Sequence, residues 1–325
     1  MKIGVVIAFV AGVAFTCWLV WHLGVGQVFA SAASVGWGGF ALICVAGLVM
    51  EALSGLAYFA LVPGGAPWPM FLAARQLRDS VGDVLPFTQF AGMLAAARGV
   101  TMNGQSRPVA FAGIVVDVTS EFLAQIAFVA LGLTLGLAQL RASPTLGPYA
   151  NALMWGTAAL VPGAFLFVLL QRKGSSFAER IAGRVLPSAA THTEAFREAL
   201  TRLYDRPARL IAATLLHLVS WITSGAWLWL MIRLAGARIT VADAIVIQSL
   251  LEAFRSAAVF VPSSVGVQEA GLTALAPVFG LPPQMGLAAS LLRRARDVAV
   301  GVPVLLAWQL IEGRRVLFRR RDPAA

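Results

Sequence analysis

The side chains with chemical capacity in this chain are charged residues in apolar surroundings. Glu51, Arg75, Arg78, Asp79, Asp83, Asp117, Glu121, Glu252, Arg255, Glu269, Arg293, Arg294, Arg296 and Asp297 all lie within or beside long hydrophobic stretches. At bilayer depth each such charge costs a few kcal/mol and needs a counter-charge, a wet cavity or a function. Pairing across helices is the simplest account, with Glu51 or Asp117 joined to Arg78 and Glu252 to the neighbours of Arg255. Pairing alone explains the group poorly, because polar contacts between membrane helices contribute only about 1 kcal/mol apiece. A polar route through the bilayer explains it better. Arginine is the predominant base, and its planar fork binds phosphate bidentately. Arg78, Arg255, Arg293 and Arg294 are therefore candidates for contacting a lipid headgroup, together with Glu269. Glu51, Asp79, Asp83, Asp117, Glu121, Glu252 and Asp297 are candidates for ion pairing or for coupling to protons.

Other reactive patterns are weak. There is no metal-ligand spacing, no phosphate-binding glycine loop and no nucleophile beside a base, so no catalytic residue, metal or cofactor is expected. Asp79 and Asp83, at i and i+4, make a lone acidic pair. Cys17 and Cys44 sit in apolar runs, and His22, His192 and His217 are scattered along the chain. The string VPSSVGVQEAG, Val261 to Gly271, reads as a break between helices. Pro262 ends one helix, Ser263, Ser264 and Gly266 form a turn, and Glu269 falls in the first turn of the next, where an acid suits the helix dipole.

The composition explains why these charges matter. Of 325 residues, 59% are hydrophobic and only 12% charged, about half the charged fraction of a soluble protein. The chain reads as an integral membrane protein. Lys plus Arg number 25 against 15 Asp plus Glu, an excess that marks cytoplasmic loops against anionic lipid rather than nucleic acid. About 20 apolar residues cross a bilayer, and six candidates qualify, at 3–23, 37–62, 109–137, 150–170, 208–232 and 285–311. The first, following Met1-Lys2, is expected to be an uncleaved span rather than a signal peptide, since many hydrophobic segments follow. Two further stretches, 68–100 and 240–282, are broken by proline and glycine and carry several charges.

The basic residues orient this arrangement. Arg172, Lys173, Arg180, Arg184, Arg197, Arg202 and Arg206 cluster between the fourth and fifth spans, and Arg314, Arg315, Arg319, Arg320 and Arg321 in the tail. Both clusters, and the N-terminus, fall on the cytoplasmic side if the six candidates cross once each and the two broken stretches return to the side they left. Backbone breaks at membrane depth are tolerated only inside protein or along a cavity. The broken stretches also resemble each other. Arg78 precedes Pro86 in RDSVGDVLP, with Gly92 following; Arg255 precedes Pro262 in RSAAVFVP, with Gly266 following. The expected fold is an all-α polytopic membrane protein with about six transmembrane helices and two oppositely oriented re-entrant helical hairpins in a weak inverted repeat, as in many secondary transporters. Within a single membrane domain, 1–325, repeat A would span 37–137 and repeat B 208–311. An amphipathic cytoplasmic segment lying on the membrane would occupy 171–207 and a basic tail 312–325. Tryptophans such as Trp18, Trp21, Trp37, Trp68 and Trp308 near span ends read as interfacial anchors.

Val261–Gly271, the LLRRARD run Leu291–Asp297 and DVLPFTQFAG, Asp83–Gly92, together resemble the lysylphosphatidylglycerol synthase transmembrane-region family over approximately residues 5–312, most closely its stand-alone members associated with hopanoid biosynthesis. The resemblance implies a polytopic inner-membrane protein, and in some relatives the membrane region translocates aminoacylated phosphatidylglycerol. The soluble transferase domain of the synthases is not expected here, because the sequence ends shortly after the last span. After Pro86, Gln89 and Gly92 stand where the family pattern more usually carries a Gly-Glu pair.

The leading expectation is a lipid translocase or transporter acting on a polar, anionic or aminoacylated headgroup, with membrane lipids as partners. The alternatives are a membrane-embedded lipid-modifying transferase and a non-catalytic component working with lipid (hopanoid) biosynthesis enzymes.

Overall fold

Backbone withdrawn from water must satisfy its N–H and C=O groups internally, which in lipid leaves helices or closed barrels. The computed structural model describes residues 2–62, 64–85, 89–142, 147–149, parts of 151–162, 190–258, 261 and 264–321, and among them there is no strand. The long helices are α1 (Lys2–His22), α2 (Val25–Ala33), α3 (Gly36–Leu61), α4 (Trp68–Val84), α5 (Gln89–Thr101), α6 (Arg107–Ala142), α7 (Ala190–Tyr204), α8 (Pro207–Leu234), α9 (Val241–Ala257), α10 (Val267–Leu275) and α11 (Pro283–Arg321).

Three of these are long and apolar enough to cross a membrane, at Gly36–Leu61, Arg107–Ala138 and Pro207–Leu234. A fourth qualifies if α1 and α2 are one span, bent by 96° at Gly24, whose φ of 91° favours glycine. The span expected at 285–311 falls in α11, one helix despite Pro303. Its charges, Arg293, Arg294, Arg296 and Asp297, leave it outside the set defined by apolar length. The span expected at 150–170 lies largely outside the described residues.

Each broken stretch forms two helices. Pro69 sits in the first turn of α4, where its missing N–H costs nothing. A capping box opens α9, with the Thr240 hydroxyl accepting from Asp243 N and the Asp243 carboxylate accepting from Thr240 N. Where α5 lies against α4, Gly92 meets the backbone carbonyl of Arg78, so closely that a Cβ would collide with it. Gly92, expected in the turn, is thus a crossing residue within α5. Where α10 lies against α9, a Cβ on Gly271 would come 2.8 Å from Leu251 Cδ1. Small residues at such crossings let backbones approach, the main means by which helices pack without a hydrophobic driving force.

The pattern of helix neighbours is preserved when α3–α6 are exchanged with α8–α11. The pair α3–α4 corresponds to α8–α9, α4–α11 to α9–α6, and α5–α6 to α10–α11, while α3–α8 maps onto itself.

Two apolar cores form. One joins Ile43 of α3, Val129 and Leu133 of α6 and Trp227 to Ile232 of α8 with much of α9, α10 and the start of α11. The other joins Ala57 to Val62 of α3, Ala110 to Val116 of α6 and Ala213 of α8 with α4, α5 and α7. Hence α6 and α8 run in the same direction between the cores and α3 runs opposite. The hairpins start from opposite cores, α4–α5 from the second and α9–α10 from the first.

The connection expected to lie on the membrane behaves differently over its described part. The apolar face of α7, with Ala199, Leu200, Leu203 and Tyr204 buried, docks mainly on α6. Large apolar residues elsewhere face outward, including Trp21, Trp37, Val45, Leu94, Ile211 and Leu306, as a lipid-facing perimeter would require.

Candidate functional site

Between the two cores lies a layer of buried polar groups. It crosses α3 at Glu51 and Ser54, α6 at Asp117 to Glu121, and α8 at His217 to Ser224. The layer crosses α8 in its middle third, α3 about two-thirds of the way along and α6 about a third of the way along its length. It is completed by the ends of α4 and α9 nearest their breaks and by Arg293 to Asp297 of α11.

The first part of the layer joins α4, α6 and α8. Arg75 and Arg78 fall on one face of α4, since residues three apart are neighbours on a helix, and Asp117 and Glu121 share a face of α6. Arg75 Nη2 donates to Glu121 Oε1 at 2.8 Å and its Nε to Asp79 Oδ2 at 2.6 Å. Arg78 Nη2 donates to Glu121 Oε2 at 2.7 Å, and its Nη1 reaches Asp117 Oδ2 at 3.4 Å. The other Asp117 oxygen is 3.0 Å from His217 Nε2. Trp221 Nε1 donates to the Glu121 carbonyl at 3.5 Å. Below these, Ser54 and Ser220 join α3 to α8 through hydroxyls 3.0 Å apart.

The second part joins α3, α9, α10 and α11. Arg296 Nη1 donates to Glu51 Oε1 at 2.6 Å and reaches Asp297 Oδ1 at 3.4 Å. Gly47 makes room for it, because a Cβ there would lie 2.7 Å from Arg296 Nε. Glu252 accepts from Gln248 at 2.8 Å and from Arg255 Nη1 at 3.0 Å. Glu269 is 1% exposed and fully engaged: Oε2 accepts from Gly266 N at 2.7 Å and Oε1 from Arg294 Nε at 3.0 Å. It therefore both caps α10 and neutralises an arginine of α11. Arg293 and Arg296 stack over Trp227, with guanidinium carbons 5.0 and 5.6 Å from its ring centroid.

Every charged residue expected at the site thus falls in one layer, although the partners differ from expectation. Asp117 pairs with Arg78 as anticipated, whereas Glu51 takes Arg296, and Glu252 takes Arg255 itself. Asp83 makes no hydrogen bond or ion pair among the described residues, yet Asp297, Asp79, Arg255 and Glu51 are its charged neighbours. Both hairpins thus contribute charge to this layer, α4 through Arg75, Arg78 and Asp79 and α9–α10 through Glu252, Arg255 and Glu269. Of the turn residues, Ser264 adopts φ 48° and Gly266 φ 84°; Pro86, Pro262 and Ser263 lie outside the described residues. No group of three or more metal-binding side chains occurs among the described residues.

His217, Trp221 and Trp227 were not singled out by their types, yet they join this layer. A signal was present in α8: His217, Ser220 and Ser224 recur at helical spacing within an apolar span, forming a polar stripe that needs internal partners.

Searches of curated proteins and of solved structures gave no match. A family model described as the lysylphosphatidylglycerol synthase TM region matches residues 3–304. The chain belongs to that family and is a multi-pass membrane protein.

Proposed function

We propose that this protein moves a polar lipid between the leaflets of the bacterial inner membrane. In this reading α4–α5 and α9–α10 are re-entrant hairpins dipping in from opposite faces, six helices cross the membrane, and both termini are cytoplasmic. Residues 37–137 and 208–311 form the inverted repeats of one membrane domain. The observation that supports the reading best is that both hairpins contribute charge to one buried polar layer that crosses the candidate spans away from their ends. A headgroup needs such a polar layer to pass the hydrocarbon, and interrupted helices from related halves are the usual means of opening it to either side. The opposed directions of α3 and α6, and the exchange of helix neighbours, agree with that topology. Membership in a family named for the membrane region of lysylphosphatidylglycerol synthases fits a lipid substrate.

The test is reconstitution of the full chain into vesicles carrying a headgroup-labelled phospholipid whose outer-leaflet label can be bleached. The wild-type protein should make the inner-leaflet label accessible, and Arg255→Gln should slow this about tenfold or more, equivalent to about 1.4 kcal/mol on the barrier. Label movement no faster than in protein-free vesicles would refute translocation. A turnover product of the lipid in the same vesicles would point to a transferase instead.

A further inference from the structure

The first part of the polar layer is a single hydrogen-bonded chain of alternating charge. Asp79 accepts from Arg75, Arg75 and Arg78 both donate to Glu121, and Arg78 reaches Asp117, whose other oxygen meets His217. Three carboxylates thus face two guanidiniums, and no further arginine or lysine pairs with them among the described residues. Every side chain in the chain is at least four-fifths buried, and Asp117 and His217 are the deepest. A buried carboxylate without a counter-charge is costly. His217 is the one member that can supply the missing charge, since an imidazolium there sets three cations against three anions. The spacing around Arg78 fits this: its guanidinium lies 2.7 Å from Glu121 but 3.4 Å from Asp117, so it leans away from the carboxylate that the ring contacts.

The ring's two nitrogens divide the work. An ionised Asp117 only accepts, so Nε2 carries the hydrogen between them. A proton therefore enters and leaves at Nδ1, which is buried with no hydrogen-bond partner, so no donor among the described residues holds the ring neutral. The other ionisable groups on the helices against α8 are engaged elsewhere. On α3, Glu51 is taken by Arg296 and the Tyr58 hydroxyl donates to the Ala110 carbonyl. On α9, Glu252 and Arg255 pair with each other, and Asp243 caps its own helix. On α11, Arg293 and Arg296 face α8 at Trp227, further along the helix. On α7, Glu198 pairs with Arg202, and Tyr204 meets Thr119. We propose that His217 is a proton-binding site whose occupancy sets the position of Arg78 and thereby controls lipid movement. With the proton bound, Arg78 rests on Glu121. Its loss to water leaves Asp117 to Arg78 alone and draws that guanidinium, and with it α4 of the first hairpin, towards Asp117. This assignment rests on the lipid-translocation reading and specifies a proton as the ion coupled to it.

The test uses the full chain in lipid vesicles. His22→Gln and His192→Gln together leave His217 as the sole histidine, and nitrogen NMR of its labelled ring then reads its protonation directly. Between about pH 5.5 and about pH 8.5 the ring should pass from imidazolium to imidazole, the range in which histidine changes charge. Over the same range the wild-type rate of headgroup-labelled phospholipid movement between leaflets should change by about five-fold or more. His217→Gln, which keeps a donor for Asp117 but takes no proton, should make the rate independent of pH. A purely structural histidine would instead lower the thermal midpoint in that variant and leave the pH profile in place. The NMR measurement does not depend on the folding of His217→Gln. A ring that keeps one protonation state throughout, a wild-type rate that is flat with pH, or a pH profile retained in His217→Gln would overturn the assignment. A titrating ring with no lipid movement at any pH would leave the proton site standing and sink translocation; movement with a ring that does not titrate would do the reverse.

Discussion

Asp117 is 1% exposed, and both Arg78 and His217 lean on it. Removing one member of a buried ion pair leaves its partner uncompensated, typically at 3–5 kcal/mol. Asp117→Ala should therefore destabilise the protein by about 3 kcal/mol, read as a lower thermal midpoint in detergent. Glu121, which still holds Arg78 and Arg75, keeps the loss from being larger. A midpoint within a degree of wild type would show that Asp117 is dispensable to the layer. At this scale much of the site was visible in the sequence, since a charge in an apolar run must be explained wherever it ends up. Apart from Asp117 with Arg78, what the sequence did not reveal was pairing. Glu51 and Arg296 stand 245 positions apart, and nothing local distinguishes Arg296 from Arg293, although one is neutralised and the other is not.

Gly92 and Gly271 set the geometry of the two hairpins. A helix pair closing over a glycine has no slack for a larger side chain, and overpacking costs about 1–3 kcal/mol. Gly92→Leu should push α5 off the Arg78 carbonyl and slow lipid movement in reconstituted vesicles, lowering the thermal midpoint as well. An exposed control such as Leu94→Ala should change neither; equal effects of the two substitutions would show that the crossing is not critical. The broken character of 68–100 and 240–282 was legible because proline and glycine interrupt an apolar run in both. The docking of α7 was not. Its amphipathic pattern fits a membrane surface and a protein groove equally well, and the choice was made by α6, where Thr119 lies 3.2 Å from the Tyr204 hydroxyl. The 96° bend between α1 and α2 also escaped sequence reading, since Gly24 alone marks it.

The orientation of the whole molecule in its membrane is the arrangement most open to a direct check. Single cysteines replacing the exposed Arg141 and Arg238 should be modified by an impermeant thiol reagent added outside intact cells, and one replacing Arg206 only after the membrane is opened. The reversed pattern would invert the topology, and labelling of all three from one side would remove the opposed hairpins. A Cys17→Ser, Cys44→Ser background is needed, because both natural thiols are free. A last consequence follows from α6 and α11, which correspond under the exchange of halves and run for 36 and 39 residues. At about 1.5 Å per residue they are about 54 and 58 Å long, against a hydrocarbon thickness of roughly 30 Å. Neither fits upright within the bilayer, so both must tilt or project beyond it. The projecting end of α11 is gripped by α5, where Arg98 takes both carboxylate oxygens of Glu312. Tilt is thereby tied to the position of the α4–α5 hairpin. On the proposed function, bilayer thickness should control lipid movement through hydrophobic mismatch: short-chain lipids should favour more upright projection, long-chain lipids should draw the ends inward, and the rate in vesicles should pass through an optimum chain length.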